Sequence, residues 1–348
     1  MKTHDVFIGN GSIKELPALL ESKKIKKVLV FRGKSSFEKI KNTIDEMIKG
    51  CVVDYYLDFA TNPIDDDLQK ALRTISGNYD AIIAVGGGSV IDFAKLFNFK
   101  SGRKLFFIAI PTTAGSGSEA TKFAVIWIKD KKYSIEDDTI LPNYAIVDSQ
   151  FLKNSPKYLK ACSSFDAFAQ SVESFWSVRS TPRSQEYAKE AMILCKENIV
   201  NYVLSDDEKT MDKMSQAAFL AGKAINISKT TAAHALSYVF TKEFNIPHGH
   251  AVALSFPKLF AANTDIPLLA LNDKREIAYI ERMKKSLKEI LSYDYFVDVL
   301  AKIGLELNLK KLGISNVSDL VKKVNLERIS NNPRIFTQAQ LEGLFFND

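Results

Sequence analysis

The sequence predicts an α/β domain followed by an all-helical domain, and two observations support this fold class. In the first half of the 348-residue chain, short apolar runs alternate with segments of helical spacing, as in a parallel sheet covered by helices. After Ser155-Pro156, which suits a helix start, helical spacing continues almost to the end of the chain. We therefore place an α/β domain at residues 1–155 and a helical domain at residues 156–348.

The individual elements follow from the same patterns. Apolar runs predict strands that begin at Lys27, Cys51, Ala81, Leu105 and Ala145. Helices are predicted over residues 36–49 and 63–76 and directly after the glycines at 86–88. In the second half, helix breaks are expected near residues 180–182, 247, 263–267 and 331–333, where proline interrupts the pattern.

The composition indicates an ordinary globular protein of a reducing compartment. Hydrophobic residues make up 46% of the chain, which permits a large core, and no apolar run reaches the roughly 18 residues of a membrane span. The three cysteines, Cys51, Cys162 and Cys195, are too few and too widely spaced for a disulfide scaffold. The N-terminus lacks the apolar stretch of a secretory signal. We therefore expect a cytoplasmic protein.

The net charge of +6 does not by itself indicate nucleic-acid binding, because the lysines are scattered and no nucleic-acid motif is present. An anionic cofactor or substrate accounts for the positive charge equally well. We expect neither a nucleic acid nor a membrane as a partner.

Two loops that follow predicted strands are candidates for nucleotide binding. The segment AIIAVGGGSVIDFAK begins at Ala81 and has the pattern of a strand, a glycine turn and a helix. Glycines let backbone N–H groups approach a pyrophosphate, and a helix N-terminus favours negative charge, although such turns also occur for structural reasons alone. The common G-x-G-x-x-G fingerprint is absent. A second loop, PTTAGSGSE from Pro111, should lie beside the first at the carboxyl edge of the sheet, where open α/β sheets bind ligands.

The end of the first predicted strand bears on which nucleotide is bound. Enzymes that select NAD often place an acid there, whereas a basic residue suits the 2′-phosphate of NADP. Here the strand ends in FRGKSS, without an acid, which favours NADP(H) over NAD(H), although these are also ordinary surface residues. The candidate cofactor-binding residues are Arg32, Gly33, Ser35, Asn62, Gly86, Gly87, Gly88, Ser89, Asp92, Thr112, Thr113, Ser116 and Lys132.

Three of the four histidines, His234, His248 and His250, lie close together in a chain that is otherwise poor in histidine. Histidine is the commonest metal ligand and transfers protons near neutral pH. Upstream, the helical segment FDAFAQSVESFW places Asp166 and Gln170 four residues apart, on one helix face. An Asp–His–His set with one further oxygen or nitrogen donor suits Fe(II) or Zn(II). The alternative is a buried core histidine beside a pair of loop histidines.

Several motifs run nearly from end to end of the chain. They are GGGSVIDFAK, PTTAGSGSEAT, LPNYAIVD, the Asp166 helix, the His234 and His248 pair, and NNPRIFT. With these motifs the chain resembles the iron-containing (group III) alcohol dehydrogenase family. The resemblance implies a dehydroquinate synthase-like architecture, a homodimer or larger assembly, and a metal that meets the nicotinamide in a cleft between the domains. It also implies one aspartate and three histidines as metal ligands, of which Asp166, His234 and His248 match three.

Two positions depart from the family pattern. The second ligand, usually a histidine four residues after the aspartate, is Gln170, and the histidine usually found four residues after the third ligand is Tyr238. Gln170 could ligate through its amide oxygen or leave water in its place, or metal binding could be lost. Because three ligand positions remain, we expect that the metal is retained. Iron rather than zinc is implied by the resemblance alone.

The segment INISKTTAAHALSY, from Ile225, is similar to the phosphonoacetaldehyde reductase (2-hydroxyethylphosphonate dehydrogenase) branch of this family. Its residues Ser228, Lys229, Thr230 and Thr231 offer one positive charge and several hydroxyl donors to a phosphonate dianion. The same residues could cap the His234 helix, and both roles are compatible because a helix N-terminus is itself an anion site. We expect reduction of phosphonoacetaldehyde to 2-hydroxyethylphosphonate.

The corresponding mechanism is a hypothesis. In it the metal polarises the aldehyde, NADPH delivers a hydride, and Lys229 holds the phosphonate. Tyr238, His250 and the cofactor ribose with water are the candidates that return a proton to the alkoxide. Three alternatives stay open: a reductase of neutral short aldehydes, a lyase or cyclase of the dehydroquinate synthase type without net cofactor turnover, and a non-catalytic nucleotide-binding relic.

Overall fold

The computed structural model describes residues 4–129, 131–267, 270–324 and 329–346 of the chain, which form two compact units. The first unit contains the chain up to Ser155 together with Asp206–Gly222. The second contains Pro156–Ser205 together with the chain from Lys223 onwards. The first unit is built on a parallel sheet and the second on helices, so the predicted fold class is confirmed.

A six-stranded parallel sheet forms the centre of the first unit. The strands of this unit are β1 (Asp5–Ile8), β2 (Lys27–Arg32), β3 (Val52–Tyr56), β4 (Ala81–Gly86), β5 (Phe106–Pro111), β6 (Phe123–Ile128), β7 (Lys131–Glu136) and β8 (Tyr144–Val147). The order across the sheet is β1-β8-β5-β4-β2-β3, while β6 and β7 form a separate antiparallel hairpin. The first five strands are connected in turn by α1 (Leu16–Ser22), α2 (Lys41–Met47), α3 (Asp65–Thr74) and α4 (Gly88–Lys100).

Both faces of the sheet are buried, which explains why its central strand is apolar throughout. All residues of β4 are buried. Successive side chains of a strand point to opposite faces, so this one apolar run supplies two cores. Ile82 and Ala84 pack in the core that includes residues of α3 and α4. Ala81, Ile83 and Val85 pack in the core that includes residues of α1 and α2.

The order of the strands reverses between β2 and β4, and this reversal positions the loops. β3 lies on one side of β2, whereas β4 lies on the other side. The carboxyl ends of the two strands are therefore adjacent, and the Gly33 N–H donates to the Val85 carbonyl (3.3 Å). Beyond β5, the Thr112 N–H donates to the Gly86 carbonyl (3.1 Å). The three strand ends that carry the candidate loops therefore lie side by side. Open α/β sheets bind ligands at such a reversal.

Some elements of the first unit differ from the prediction or lie outside it. The strands β1, β6 and β7 are not among the predicted strands. The edge strand β1 has only four residues and exposed ends, and β7 is mostly exposed. The prediction of a single helix over residues 36–49 is wrong. A 3-10 turn at Phe37–Lys39 precedes α2, and the backbone of Ile40 between them leaves the helical conformation (φ −116°, ψ 1°).

Helices account for the second unit. They are α5 (Lys157–Trp176), α6 (Pro182–Leu204), α7 (Glu208–Ser228, of which the part from Lys223 belongs here), α8 (Ala232–Phe244), α9 (His248–Ala253), α10 (Phe256–Thr264), α11 (Ile277–Ile290), α12 (Tyr293–Lys302), α13 (Val317–Lys322) and α14 (Gln338–Phe346). The predicted break at residues 180–182 is the start of α6, where the Ser184 N–H donates to the Thr181 hydroxyl (3.2 Å). In the part of the chain that the structure describes, no helix is long and apolar enough to cross a membrane.

Candidate metal centre and nucleotide-binding loops

Three helices of the second unit bring the predicted metal ligands together. Asp166 lies on α5, His234 in the first turn of α8, and His248 at the first position of α9. One ligand atom from each lies within 4.8 Å of the other two. Asp166 and His234 are buried and His248 is half-buried. The sequence separates these residues by up to 82 positions, so the fold itself assembles the cluster.

The two histidines point their Nε2 atoms at the same carboxylate oxygen. His234 Nε2 lies 3.0 Å from Asp166 Oδ1, and His248 Nε2 lies 3.9 Å from it. Ser237 holds the other nitrogen of His248. Its hydroxyl donates to the His234 carbonyl (2.7 Å), so its oxygen accepts from His248 Nδ1 (3.2 Å). Nε2 of His248 is therefore the atom left to ligate.

A glycine sets how closely α9 approaches α5. A Cβ at Gly249 would lie 1.8 Å from the carbonyl oxygen of Cys162, so no other residue fits this position without movement of the backbone. His248 stands directly before this glycine, and Asp166 lies one turn after Cys162. The glycine of the His-Gly-His sequence is thus explained by packing.

A buried acid that the sequence analysis did not select completes the arrangement. Glu173 on α5 is fully buried, and one of its carboxylate oxygens accepts from His234 Nδ1. Glu173 follows Asp166 by seven residues, which puts both on one face of α5. The sequence shows two acids seven residues apart in α5, but this spacing does not distinguish a buried acid from an ordinary exposed one.

The electrostatics of the cluster favour a cation. Burial alone would raise the pKa of Asp166, but the His234 hydrogen bond and the nearby His248 lower it. Burial alone would lower the pKa of His234, but the Glu173 carboxylate and the hydrogen bond to Asp166 raise it to about 9. Two carboxylates therefore stabilise positive charge on and around one imidazole, which is what a divalent cation site requires.

The donor set fits the implied metal. One carboxylate and two imidazoles supply oxygen and nitrogen ligands of the kind that Fe(II) and Zn(II) accept. Gln170 is 4% exposed and its side chain hydrogen-bonds to Asp166, so the fourth predicted ligand also lies at the cluster. Its amide oxygen is a neutral and weaker donor than the imidazole that the family pattern has at this position.

Tyr238 and His250, the two candidate proton donors, lie in different settings. The Tyr238 ring stacks on His248 with a centroid distance of 5.8 Å and an interplanar angle of 7°. His250 is buried, and both its ring nitrogens are engaged: Nε2 by the Glu306 carbonyl (2.7 Å) and Nδ1 by the Tyr158 hydroxyl (2.8 Å). This double engagement favours a structural role for His250.

In the first unit, the glycine turn and the second loop pack against each other. Gly88 begins α4, and a Cβ there would lie 2.5 Å from Ser116 Oγ. A Cβ at Gly87 would lie 3.4 Å from Thr113 Oγ1. Gly86 ends β4 and Thr112 follows β5, so most of the predicted cofactor-binding residues lie at one sheet edge, including Ser89 in the first turn of α4.

Asp92 stabilises the conformation of these loops through hydrogen bonds. Its carboxylate accepts from the Ser118 hydroxyl and from the Val125 N–H (3.0 Å), which fixes both the second loop and β6. Burial raises the pKa of Asp92, although Lys95 and Lys132 oppose the shift. Lys132, on β7, thus lies in the electrostatic environment of α4. Asn62 is exposed between β3 and α3.

Arg32, at the end of β2, interacts with residues of the segment that follows the strand. Arg32 donates to the Gly33 carbonyl (3.3 Å) and to Glu38 (2.8 Å), and its guanidinium lies 4.8 Å from the centroid of the Phe37 ring. Glu38, six residues after Arg32, thus places an acid beside the basic strand end. Ser35 is exposed nearby in sequence and has no described role in this pair.

Two of the four proposed phosphonate-binding side chains have their hydroxyl groups bound to neighbouring protein groups. Ser228 is buried, with its hydroxyl on Ser174 (2.7 Å), and the Thr231 hydroxyl donates to Glu173 (2.6 Å). Lys229 and Thr230 are half-buried. Lys229 has a left-handed backbone (φ 62°), which is costly for a residue other than glycine.

Two family models together match most of the chain. The model described as "Iron-containing alcohol dehydrogenase" matches residues 3–149, and the model described as "Fe-containing alcohol dehydrogenase family, C-terminal" matches residues 160–347. The chain belongs to the iron-containing alcohol dehydrogenase family. The resemblance inferred from the motifs is therefore confirmed.

Individual relatives are distant. Aldehyde-alcohol dehydrogenase 2 of Entamoeba histolytica is 28% identical over 72% of this chain and 32% of its own length. Phosphonoacetaldehyde reductase of Streptomyces viridochromogenes is 29% identical over 63% of this chain and 62% of its own length. The matches thus span less than two thirds of either relative. Sulfoacetaldehyde reductase of Bifidobacterium kashiwanohense, solved in complex with NAD+, superposes with a TM-score of 0.87 at 26% identity, covering 99% of this chain and 96% of that one.

Gln170 can be tested as a ligand position through metal affinity. We expect Gln170→His to tighten Co(II) or Zn(II) binding by about tenfold or more, because an imidazole is a stronger donor than a neutral amide. The dissociation constant would be measured by anaerobic Co(II) titration. Gln69→His, at an exposed site on α3, controls for the added histidine. Equal affinity of Gln170→His and the parent would place residue 170 outside the ligand sphere.

Proposed function

We propose that the protein catalyses metal-dependent, NAD(P)H-linked reduction of a small aldehyde to a primary alcohol. The observation that carries the proposal is the buried Asp166–His234–His248 cluster, in a chain that also has paired phosphate-type loops at a strand reversal. Family membership supports the same activity. Asp166, His234 and His248, with Gln170 beside them, would hold the metal.

Residues of the first unit would bind the cofactor, and residues of the second unit would hold the metal. When bound, the metal would supply a Lewis acid for the carbonyl, and the nicotinamide would supply the hydride. The glycine turn at Gly86–Gly88 and Thr112–Thr113 would bind the pyrophosphate through backbone N–H and hydroxyl groups. The start of α4 adds the favourable end of a helix dipole. Fe(II) is our proposal for the metal, with Zn(II) as the alternative of equal ligand chemistry.

Tyr238 is our proposal for the side chain that returns a proton to the product, because it stacks on His248 and both nitrogens of His250 are engaged. Tyr238→Phe keeps the stacked ring and removes only the hydroxyl. We expect kcat to fall by about a hundredfold, the usual scale of general acid catalysis, with bound metal unchanged. Steady-state kinetics with metal analysis of the same sample decides the matter. Unchanged kcat would assign the proton to the cofactor ribose and water.

We propose that the enzyme prefers NADPH and that Glu38 weakens this preference. Arg32 suits a 2′-phosphate, but its pairing with Glu38 offsets its charge. This balance would let the enzyme use both NADPH and NADH.

Removal of the Glu38 charge should shift the balance towards NADPH. We expect Glu38→Gln to raise the NADPH-to-NADH ratio of kcat/KM about fivefold, the scale of roughly 1 kcal/mol for a partly exposed ion pair. Arg32→Ala should lower the same ratio. Glu186→Gln, which breaks the exposed pair with Arg183, is the matched control and should leave it unchanged. A ratio unaffected by Glu38→Gln and Arg32→Ala would place the 2′-phosphate elsewhere.

A two-carbon aldehyde with an anionic group is our proposal for the substrate, with phosphonoacetaldehyde as the specific choice. Lys229 supplies the positive charge and Thr230 a hydroxyl. Two relatives support an anionic aldehyde, since one is named a phosphonoacetaldehyde reductase and another a sulfoacetaldehyde reductase. Because the Ser228 and Thr231 hydroxyls are engaged, recognition would depend mainly on Lys229.

Lys229→Met should separate anionic from neutral substrates. NADPH oxidation by the Fe(II)-reconstituted protein would be compared for phosphonoacetaldehyde, sulfoacetaldehyde and propanal. We expect the variant to lose about 10- to 100-fold in kcat/KM for the charged aldehydes, because charge-assisted hydrogen bonds contribute roughly 1.5–3 kcal/mol, and about twofold or less for propanal. A parent enzyme that prefers propanal would instead be a general aldehyde reductase. Metal-loaded protein without turnover of any aldehyde would favour a nucleotide-binding relic.

A further inference from the structure

Glu173 makes contacts that go beyond a single hydrogen bond to His234. Its Oε1 accepts from the Thr231 hydroxyl (2.6 Å) and from the Ala233 N–H (2.9 Å), and its Oε2 accepts from His234 Nδ1. Trp176, one turn further along α5, donates its indole N–H to the same Thr231 hydroxyl (2.9 Å). Thr231 is the N-cap of α8, but its own side chain makes no capping bond within that helix. The carboxylate on α5 therefore caps α8 from outside.

This geometry constrains the proton of the His234 ring. A carboxylate can only accept, so Nδ1 must carry the hydrogen that meets Glu173. Nε2 lies 3.0 Å from Asp166 Oδ1, a second carboxylate, so it also carries a hydrogen when no cation is bound. Metal ligation would remove the hydrogen from Nε2 and would leave the one on Nδ1 in its bond to Glu173. A metal-ligating histidine commonly donates its second ring N–H to a carboxylate, which fixes its tautomer and its orientation.

We propose that Glu173 is a positioning residue that fixes the tautomer and angle of His234 for metal ligation, and that it does so while anchoring the start of α8. This role rests on the proposed metal-dependent function. One carboxylate thereby links the helix that carries Asp166 to the helix that carries His234. The competing explanation is that Glu173 only caps α8 and that the His234 contact is incidental.

Glu173→Gln distinguishes the two explanations because it alters the two oxygens differently. The amide oxygen can still accept from Thr231 and Ala233, so the cap is retained. The amide nitrogen must then face His234 Nδ1, and because it is a donor it favours the tautomer with hydrogen on Nε2. The opposite amide orientation would set an NH₂ group against the Ala233 N–H. The substitution therefore keeps the cap and disfavours the ligating tautomer.

The first measurement is an anaerobic Co(II) titration followed by visible absorbance, with thermal unfolding of the same samples. We expect Glu173→Gln to weaken Co(II) binding by about tenfold to a hundredfold and to change the Co(II) spectrum, with little change in melting temperature. Thr231→Val is the matched variant, since it removes the hydroxyl of the cap and leaves the contact with His234. We expect it to lower the melting temperature and to keep Co(II) affinity within about threefold of the parent.

Unchanged Co(II) affinity in Glu173→Gln would overturn the positioning role and leave the metal centre intact. A parent protein that does not bind Co(II) would overturn the metal centre and this role together. If the Glu173→Gln variant does not fold, a second measurement on the parent protein tests the same proposal. In the zinc-loaded parent, long-range ¹H–¹⁵N correlation would report the hydrogen positions of the histidine rings. The ring assigned to His234 by the loss of its signals in His234→Gln should carry hydrogen on Nδ1. Hydrogen on Nε2 of that ring would overturn the proposal.

Discussion

Two buried carboxylates on one helix, Asp166 and Glu173, are the constraint on which the second unit depends. Transfer of a charged group from water to a protein interior costs several kcal/mol unless other groups compensate for it. Here the compensation comes from His234 between the two acids and from the first turn of α8. Because the compensating groups lie on α8, the relative placement of α5 and α8 is determined by charge as well as by apolar packing. Gly249 then allows α9 to approach α5 closely enough to bring His248 to the same oxygen.

A buried cation plays the equivalent part in the first unit. Lys95 is fully buried, and its ammonium donates to the Ser118 hydroxyl, to the Thr121 carbonyl and to the Phe123 carbonyl. Together with Asp92, it fastens the second loop and β6 to α4. The polar residues of the GGGSVIDFAK motif therefore do not all face a nucleotide. Some hold the loops in shape, which keeps the glycine turn and the start of α4 at a fixed place on the sheet edge.

The buried charges also explain which parts of the fold and of the candidate site the sequence could predict and which it could not. The fold class, most strands of the sheet and the neighbouring loops follow from apolar periodicity and turn chemistry, because these are local patterns. The Asp166–His234–His248 set is not local: its prediction rests on the grouping of the histidines, the ligand types and the resemblance of the motifs to a known family. Glu173 and Glu38 could not be selected in this way. An acid in a helix is ordinarily a surface residue, and only the tertiary structure shows that Glu173 is fully buried against α8. Likewise, the pairing of Arg32 with Glu38 depends on the 3-10 turn that replaces the predicted helix start.

The capping of α8 also bears on how an anionic substrate could be recognised. An uncapped helix N-terminus offers its first N–H groups to an anion, but here Glu173 already accepts from Thr231 and Ala233. Recognition would therefore fall to the residues that precede the helix, Lys229 and Thr230. Their backbone is held by Asn331, whose amide donates to the Ser228 carbonyl (2.8 Å) and to the Thr230 carbonyl (3.0 Å). The left-handed conformation of Lys229 is thus stabilised from both sides. Thr230 is followed directly by Thr231, whose hydroxyl donates to the same Glu173 carboxylate that accepts from His234.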